Sequence, residues 1–548
     1  MIDNMDIQIL TIDSTKLHVI AKPQSVACGS LWISVRANKT NTYMHRFDRE
    51  SYQEVAIPPH SEVRIKSIDL EILYMDISRI DGSINVINPD DGSIKKRSND
   101  PRRPIYHFSP VQGWLNDPNG LCRYNDRYHL FYQYNPTSQE WGNPYWGHAS
   151  SKDLIHWMDM EISLIPQQEI LGREDIRGGA YSGSAIVASG MMKIYFTRHI
   201  GDIHRTWCEE KTYTVDCEDE IHLLKEREVI HRAPDGLDQN FRDPKITKIG
   251  NTWYMLTGSR KVTSQTPCIT LHTSEDLQSW TYQGIFFEES NPQYLQAECP
   301  DLFKINGHYI LVVCYHNKIE PFGPKRRDVV YYIGQIQGFR FQAQHYGLLD
   351  YGKDFYAPQT FFGTDAPIMI GWNNDMAKNY IPTANGGNGT MSLPRELFLK
   401  QGFLHSFPIT ELNAIEMFIQ QKTISNGAFT ISSHGSYHFH ADMKQVKTVE
   451  FKFAQSERGD IVVGYDGNQV KISIQNVPDS IKVNLQEIDV FCDRSIVEIF
   501  MNHGLFAFTR RFHAEHPVYN IAGTIQGNLS YRLGFMQSTQ ENPERSSV

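Results

Sequence analysis

The sequence predicts an all-β protein built as a five-bladed β-propeller followed by a C-terminal β-sandwich, with an extra small β-domain at the N-terminus. Three observations carry this reading. Five apolar runs, each introduced by a turn, read Tyr128 to Tyr134, Lys193 to Thr197, Thr252 to Thr257, His308 to Tyr315 and Pro367 to Trp372, and they begin roughly 60 residues apart. No helical periodicity strong enough for βαβ units lies between them, and radial repetition of small sheets is how a propeller limits its exposed edges. A second echo, Ser151-Lys152-Asp153-Leu154 with Trp157 and Ser274-Glu275-Asp276-Leu277 with Trp280, recurs after about two such periods.

A chain of 548 residues is too long for one core. Residues 1–100 read as a β-domain and its linker, because Ile7 to Asp13, Leu31 to Arg36 and Val63 to Leu70 approach a two-residue alternation, and because 87–104 is rich in Asn, Asp, Pro, Ser and basic side chains. Residues 101–405 hold the five periods. Residues 406–425 read as a helical linker, since Leu412, Ile415 and Ile419 within Phe407 to Gln421 have helical spacing. Residues 426–548 resume alternation, as in Thr448 to Phe453 and Ile461 to Tyr465, and fit sandwich strands.

Composition narrows the function classes. A net charge of −10 argues against a nucleic-acid surface, and the short basic runs Lys95-Lys96-Arg97, Arg102-Arg103 and Lys325-Arg326-Arg327 read as solvated loops. Eight cysteines without Cys-x-x-Cys spacing indicate neither zinc nor a disulfide framework. An acidic N-terminus without an apolar run, and no stretch of about eighteen apolar residues, predict a cytoplasmic protein without a membrane partner.

The chemistry-bearing residues recur at one phase of the repeat. Asp117, Ser182, Asp243, Glu298 and Gln359 each stand about ten residues before one of the five runs. If each run is the second strand of a blade, these residues lie on the first, where a propeller faces its central channel. Three carboxylates from three blades then converge on one pocket. Around the first, Trp114-Leu115-Asn116-Asp117-Pro118-Asn119-Gly120 places a carboxylate, two amides and an indole within seven residues, a set suited to a polyol. Arg242, beside Asp243, can pair a carboxylate with its planar fork while still donating to a hydroxyl. A carboxylate cluster could also suggest calcium, but no Asp-rich loop of the required density is present.

These motifs, in this order, resemble the signature of the invertase-type β-fructofuranosidases, glycoside hydrolase family 32. The resemblance includes Trp114 to Gly120, Phe241-Arg242-Asp243-Pro244-Lys245 and Glu298-Cys299-Pro300-Asp301, together with His107 to Pro110, Phe131 to Pro136, Trp146 to Ala149, Tyr181 to Ala185, Asp354 to Gln359 and Asp493 to Phe500, and spans about residues 105–548. It implies the same propeller and sandwich, and no metal or organic cofactor. It also implies a retaining hydrolysis of terminal β-D-fructofuranosides in sucrose or short fructo-oligosaccharides, with Asp117 as nucleophile, Glu298 as acid and then base, and Asp243 steadying the transition state through sugar hydroxyls. Asn116, Gln133, Trp141, Tyr181, Ser182 and Trp372 would line the fructosyl pocket with Arg242. Relatives that cleave sucrose 6-phosphate are an alternative, for which Arg173, Arg177, Arg198 or His199 could meet the phosphate, although a solvated loop suits each of them better. Fructosyl transfer and non-catalytic fructan binding are further alternatives. Neighbouring negative charge is expected to raise the pKa of Glu298. Every recognised motif begins after residue 104, so the N-terminal β-domain is expected to stand outside the catalytic apparatus, and a homo-oligomer could form through either terminal β-domain.

Overall fold

The computed structural model describes residues 6–10, 14–24, 28–36, 40–97, 100, 102–317, 327–373, 386–455, 459–474, 477–512 and 518–539. Five sheets form a propeller. Blade I holds Gly113–Tyr124, Arg127–Asn135, Tyr145–Ser151 and Trp157–Leu164, and blade II holds Ile176–Ala188, Met191–Asp202, Cys208–Cys217 and Arg227–Ile230. Blade III holds Arg242–Ile249, Thr252–Arg260, Pro267–Ser274 and Thr281–Glu288, and blade IV holds Tyr294–Ile305, His308–Asn317, Arg327–Gln337 and Arg340–Leu348. Blade V is made by Phe355–Thr360, Ile368–Asn373, Arg395–Lys400 and Phe403–Pro408. The five apolar runs are the second strands, as the repeat predicts. The first strands pack side by side in a closed ring around the axis, the fifth returning to the first.

The echoed Ser-x-Asp-Leu segments are matching turns that leave the third strands of blades I and III. Asp153 Oδ1 accepts the backbone N–H of Ile155 and His156, and Asp276 Oδ1 accepts those of Gln278 and Ser279. Leu154 and Leu277 take φ of 66° and 63° to close them.

The N-terminal unit is a sandwich of two four-stranded antiparallel sheets around Leu17, Val19, Leu31, Ile33, Val63 and Ile65. It is fused to blade I rather than set apart from it. Ile20, Tyr74, Ile84 and Val86 belong to the same buried cluster as Tyr132 and Tyr134, and Lys16 Nζ reaches Glu161 at 3.2 Å. The basic runs expected to be solvated are partly buried: Arg97 bonds the carbonyl of Ser109 and the carboxylate of Asp159, and Arg103 donates to the carbonyl of Pro110 at 2.5 Å. Lys325 and Arg326 lie outside the described residues.

The helix expected across Phe407 to Gln421 is not formed. Thr410–Ile415 makes a single 3₁₀ turn that buries Leu412 and Ile415, and Glu416–Ile431 is a sixteen-residue strand paired along Ile521–Met536. Ile419 is 40% exposed, so the helical spacing marks no buried face, and long-range pairing overrides it. Ile521–Met536 joins the two sheets of the C-terminal sandwich by pairing with Val446–Ala454 over one half and Ser436–Asp442 over the other.

A buried polar network clasps sandwich to propeller. Arg395 of blade V donates to Asp350 at 3.0 Å, to Glu498 at 2.7 Å and to Thr509 at 2.6 Å, between the rings of Phe355 and Phe500. His107 lies between Asp493 at 2.9 Å and Glu498 at 3.2 Å. Burial alone would lower His107, but these two carboxylates raise it to about 9. Removing one member leaves its partners buried and unpaired, so Arg395→Met is expected to cost about 3–5 kcal/mol of stability. Urea unfolding reads this directly, and an unchanged midpoint would mean the network contributes nothing net.

Candidate active site

The same local device presents each motif. The register of every first strand shifts at the motif itself: at Asn116 and Asp117, at Ser182, at Asp243 and Pro244, at Cys299 and Pro300, and at Ala357 and Pro358. Proline supplies no N–H to the ladder, so a bulge is where it fits, and a bulge re-aims the side chains beside it. Asp243, Cys299 and Ala357 adopt φ of 66°, 47° and 48°, a conformation that costs of order 1–3 kcal/mol each and is held by the surrounding blades.

The three carboxylates converge through Cys299. Its backbone N–H donates to Asp243 Oδ2 at 2.9 Å, and its Sγ lies 3.5 Å from that oxygen and 3.9 Å from Asp117 Oδ2. Its chain neighbour is Glu298. Asp117 accepts Ser182 Oγ at 2.6 Å and Gln133 Nε2 at 3.4 Å on Oδ2, and Asn116 Nδ2 at 3.2 Å on Oδ1. Gln133 also donates to Ser182 at 2.6 Å and accepts from Asn116 at 2.9 Å, so amides and hydroxyl form one closed set. Trp114 fixes Asn116 by donating to its Oδ1 at 2.9 Å.

On the other side, Glu298 Oε1 receives Arg242 Nη2 at 2.8 Å, and Oε2 receives the Tyr356 hydroxyl at 2.7 Å. His316 Nε2 stands 2.6 Å from Oε2, out of line for a hydrogen bond. Arg242 is itself held by Glu210 at 2.8 Å, a fully buried carboxylate that also accepts His199 Nδ1 at 2.9 Å and the Phe241 N–H at 2.6 Å. His199 stacks on Tyr181 at 4.2 Å, and Trp141, 37% exposed, meets Tyr181 edge-on at 6.3 Å.

Trp372 is placed differently from these. It is buried in the core, edge-on to Trp114 at 5.8 Å, and its indole N–H has no partner among the described residues. Of the arginines considered for a phosphate, Arg173 pairs with Asp175, and Arg198 is tied to Glu226 and to the carbonyl of Ile165, so it is buried rather than solvated. Arg177 is exposed. Among the described residues no group of three His, Cys, Asp or Glu side chains is placed to hold a metal ion.

The electrostatics reverse one expectation. Burial pushes the Glu298 carboxyl up, but the charges of His316 and Arg242 outweigh it and hold Glu298 well below the usual range. Burial, with the charges of Glu298 and Asp117, instead raises Asp243 to about 7 against the pull of Arg242. Asp117 is raised by burial and restrained by Ser182 and Asn116. Counting the neighbouring carboxylates alone leaves out His316, which reaches Glu298 from the next strand of blade IV. Glu210, His316 and Tyr356 are the residues around the carboxylates that sequence reasoning did not single out. Only Tyr356 stands inside a recognised motif.

A propeller channel that holds two or more carboxyl groups against a floor of amides and hydroxyls is equipped to cut glycosidic bonds, so the class defined here is that of a glycoside hydrolase. The chain belongs to glycosyl hydrolase family 32: the family's N-terminal domain matches residues 107–408 and its C-terminal domain residues 411–526. It is 36% identical to a sucrose-6-phosphate hydrolase of Escherichia coli over 59% of this chain and 68% of that one. It is 30% identical to a sucrose-6-phosphate hydrolase of Vibrio alginolyticus over 76% and 87%, respectively. A family 32 β-fructofuranosidase of Bombyx mori, solved in complex with sucrose, superposes with a TM-score of 0.69 at 26% identity, covering 80% of this chain and 95% of that one. A family 32 structure from Bifidobacterium adolescentis superposes with a TM-score of 0.87 at 23% identity over 98% of this chain and all of that one, which extends the shared fold to the N-terminal sandwich.

Proposed function

We propose that this protein is a retaining, exo-acting hydrolase of terminal β-D-fructofuranosides, with sucrose, a short fructo-oligosaccharide or sucrose 6-phosphate as substrate. The observation that supports this most directly is the gathering of Asp117 and Asp243 around Cys299, the chain neighbour of Glu298. Asp117 attacks the anomeric carbon, and its bonds from Ser182 and Asn116 favour the ionised form this needs. The leaving oxygen takes its proton through Glu298. The low Glu298 pKa belongs to the free cluster, where the charges of His316 and Arg242 act on it, and a sugar bound against Glu298 excludes water and favours the protonated carboxyl. Glu298 then takes a proton from the water that opens the fructosyl intermediate, and the cluster returns to its starting state.

Asp243, raised to about 7, exchanges hydrogen bonds with ring hydroxyls as charge builds on the sugar. Glu210 keeps the Arg242 fork in plane for Glu298. Sucrose 6-phosphate is kept as a substrate because relatives that act on it are among the most similar, and an imported phosphorylated disaccharide would place the enzyme in the cytoplasm. The N-terminal sandwich supplies none of these groups, and its part is in assembly or in extending the binding surface.

Following sucrose hydrolysis by proton NMR tests the mechanism. The first fructose released is expected to be the β-furanose anomer, from two displacements at one carbon. An α-anomer formed first would replace the covalent mechanism with a single inversion, and release of glucose without fructose would point to transfer.

A further inference from the structure

The chain that leaves blade I meets the N-terminal sandwich before it enters blade II. Residues 165–175 join Trp157–Leu164 to Ile176–Ala188, and they lie against the turn at residues 48–50 that joins the sandwich strands Thr40–Phe47 and Ser51–Ala56. The contact is made at Gly172. It takes φ of 73°, and a Cβ built on it would stand 2.9 Å from the backbone nitrogen of Glu50 and 3.0 Å from the Cβ of Arg49, so no side chain fits there. Next to it, Leu171 is fully buried in the cluster that holds Ile20 and Tyr74 of the sandwich.

The same segment also backs the wall of the catalytic pocket. Ile170, fully buried, sets its Cδ1 against the backbone of Gly178, where a Cβ would meet that methyl at 2.9 Å and the carbonyl oxygen of His199 closer still. Gln167 Nε2 donates to the His199 carbonyl at 3.4 Å, and Arg198 Nη1 donates to the carbonyl of Ile165 at 2.6 Å. His199 in turn stacks on Tyr181 at 4.2 Å and bonds Glu210 at 2.9 Å. A close-packed interior yields little, so a displacement at one link passes to the next.

We propose that Gly172 and Ile170 are positioning residues, through which the N-terminal sandwich sets the Tyr181 and His199 wall of the fructosyl pocket. The sandwich gives no group to the sugar. It holds the segment that holds the wall, a task at the pocket itself and distinct from assembly or a wider binding surface. The bland role for Gly172 is to permit a left-handed turn. Gly338, between the third and fourth strands of blade IV, has that role alone: its φ is 61°, and a Cβ there would meet nothing within 4 Å.

The inference rests on the hydrolase reading above, and the experiment separates the two. The full-length protein and its G172N, G338N and I170A variants are assayed on sucrose and on sucrose 6-phosphate for kcat and KM, and their melting temperatures are measured. Asparagine tolerates the left-handed region, so G172N and G338N share a small backbone penalty and differ in what the new Cβ meets. G172N is expected to raise KM about 2- to 10-fold, the scale of one lost hydrogen bond to the sugar, with kcat within about twofold of the wild type. I170A, which empties the space behind Gly178, should move KM in the same direction, and G338N should leave both constants unchanged. A G172N protein that melts lower but keeps the wild-type KM would give Gly172 a purely structural role and overturn the proposal, and equal KM shifts in G172N and G338N would overturn it too. If G172N does not fold, I170A carries the test alone, and a wild-type KM there overturns the proposal while leaving the hydrolase reading intact. Release of fructose from neither sugar by the wild type would end both.

Discussion

Replacing Asp117 by Asn is expected to lower turnover by about 10³-fold or more, the scale on which removal of a nucleophile acts in covalent catalysis. The fold should survive. Asp117 is a carboxylate whose pKa is raised by burial, so an amide of the same shape removes a charge that the site desolvates at a cost. Ser182 can turn its hydroxyl to accept from the new amide. The melting temperature is therefore expected to hold or to rise slightly, with unchanged circular dichroism. A variant that keeps more than about a tenth of wild-type activity would remove Asp117 from the nucleophile role.

Glu298→Ala is expected to show a dependence on the leaving group that no binding defect would produce. Departure of a sugar alkoxide needs a proton, and general acid assistance contributes about 10² to 10⁴ in rate. A fluoride or aryl fructoside departs without it and should lose far less. The fructosyl intermediate on Asp117 should then accumulate, because the carboxylate that activates water is gone, and azide should relieve the block and yield the β-linked fructosyl azide. The variant also leaves Arg242 and the Tyr356 hydroxyl without their shared acceptor and takes the negative charge away from His316, so a modest rise in KM on every substrate is expected as well. Equal losses on both classes of substrate, with no azide product, would show that Glu298 has another task.

Much of the site was legible because the repeat and the motifs share one period. Asp117, Asp243 and Glu298 could be assigned to the inner strands of three different blades from spacing alone, and the prolines that follow Asp117, Asp243 and Cys299 are now seen to mark bulges. What the sequence concealed was pairing between distant strands. His316 reaches Glu298 from the neighbouring strand, and Glu210 reaches Arg242 across blades II and III, with no motif around either one. The sign of the Glu298 shift depends on those partners, so counting nearby carboxylates gave the wrong direction. The missing helix has a similar origin: Leu412, Ile415 and Ile419 fit a helical period, but Glu416–Ile431 finds a long partner in the distant strand Ile521–Met536. Arg97 looked like a linker charge because its acceptor Asp159 stands far along the chain on blade I, and Arg103 because the chain has to fold back before the carbonyls of Ser109 and Pro110 meet it.

The clasp at Arg395 also sets an order of events during synthesis. Its acceptor Glu498 lies about a hundred residues further along the chain, so at typical elongation rates roughly 5 to 20 s pass between the making of the arginine and the making of its carboxylate. During that interval Arg395 has Asp350 but neither Glu498 nor Thr509, and blade V holds a cation meant for burial with two of its three acceptors still to come. A nascent chain stalled after residue 408 would then be a target for chaperones and proteases, although every carboxylate of the catalytic cluster has already been translated.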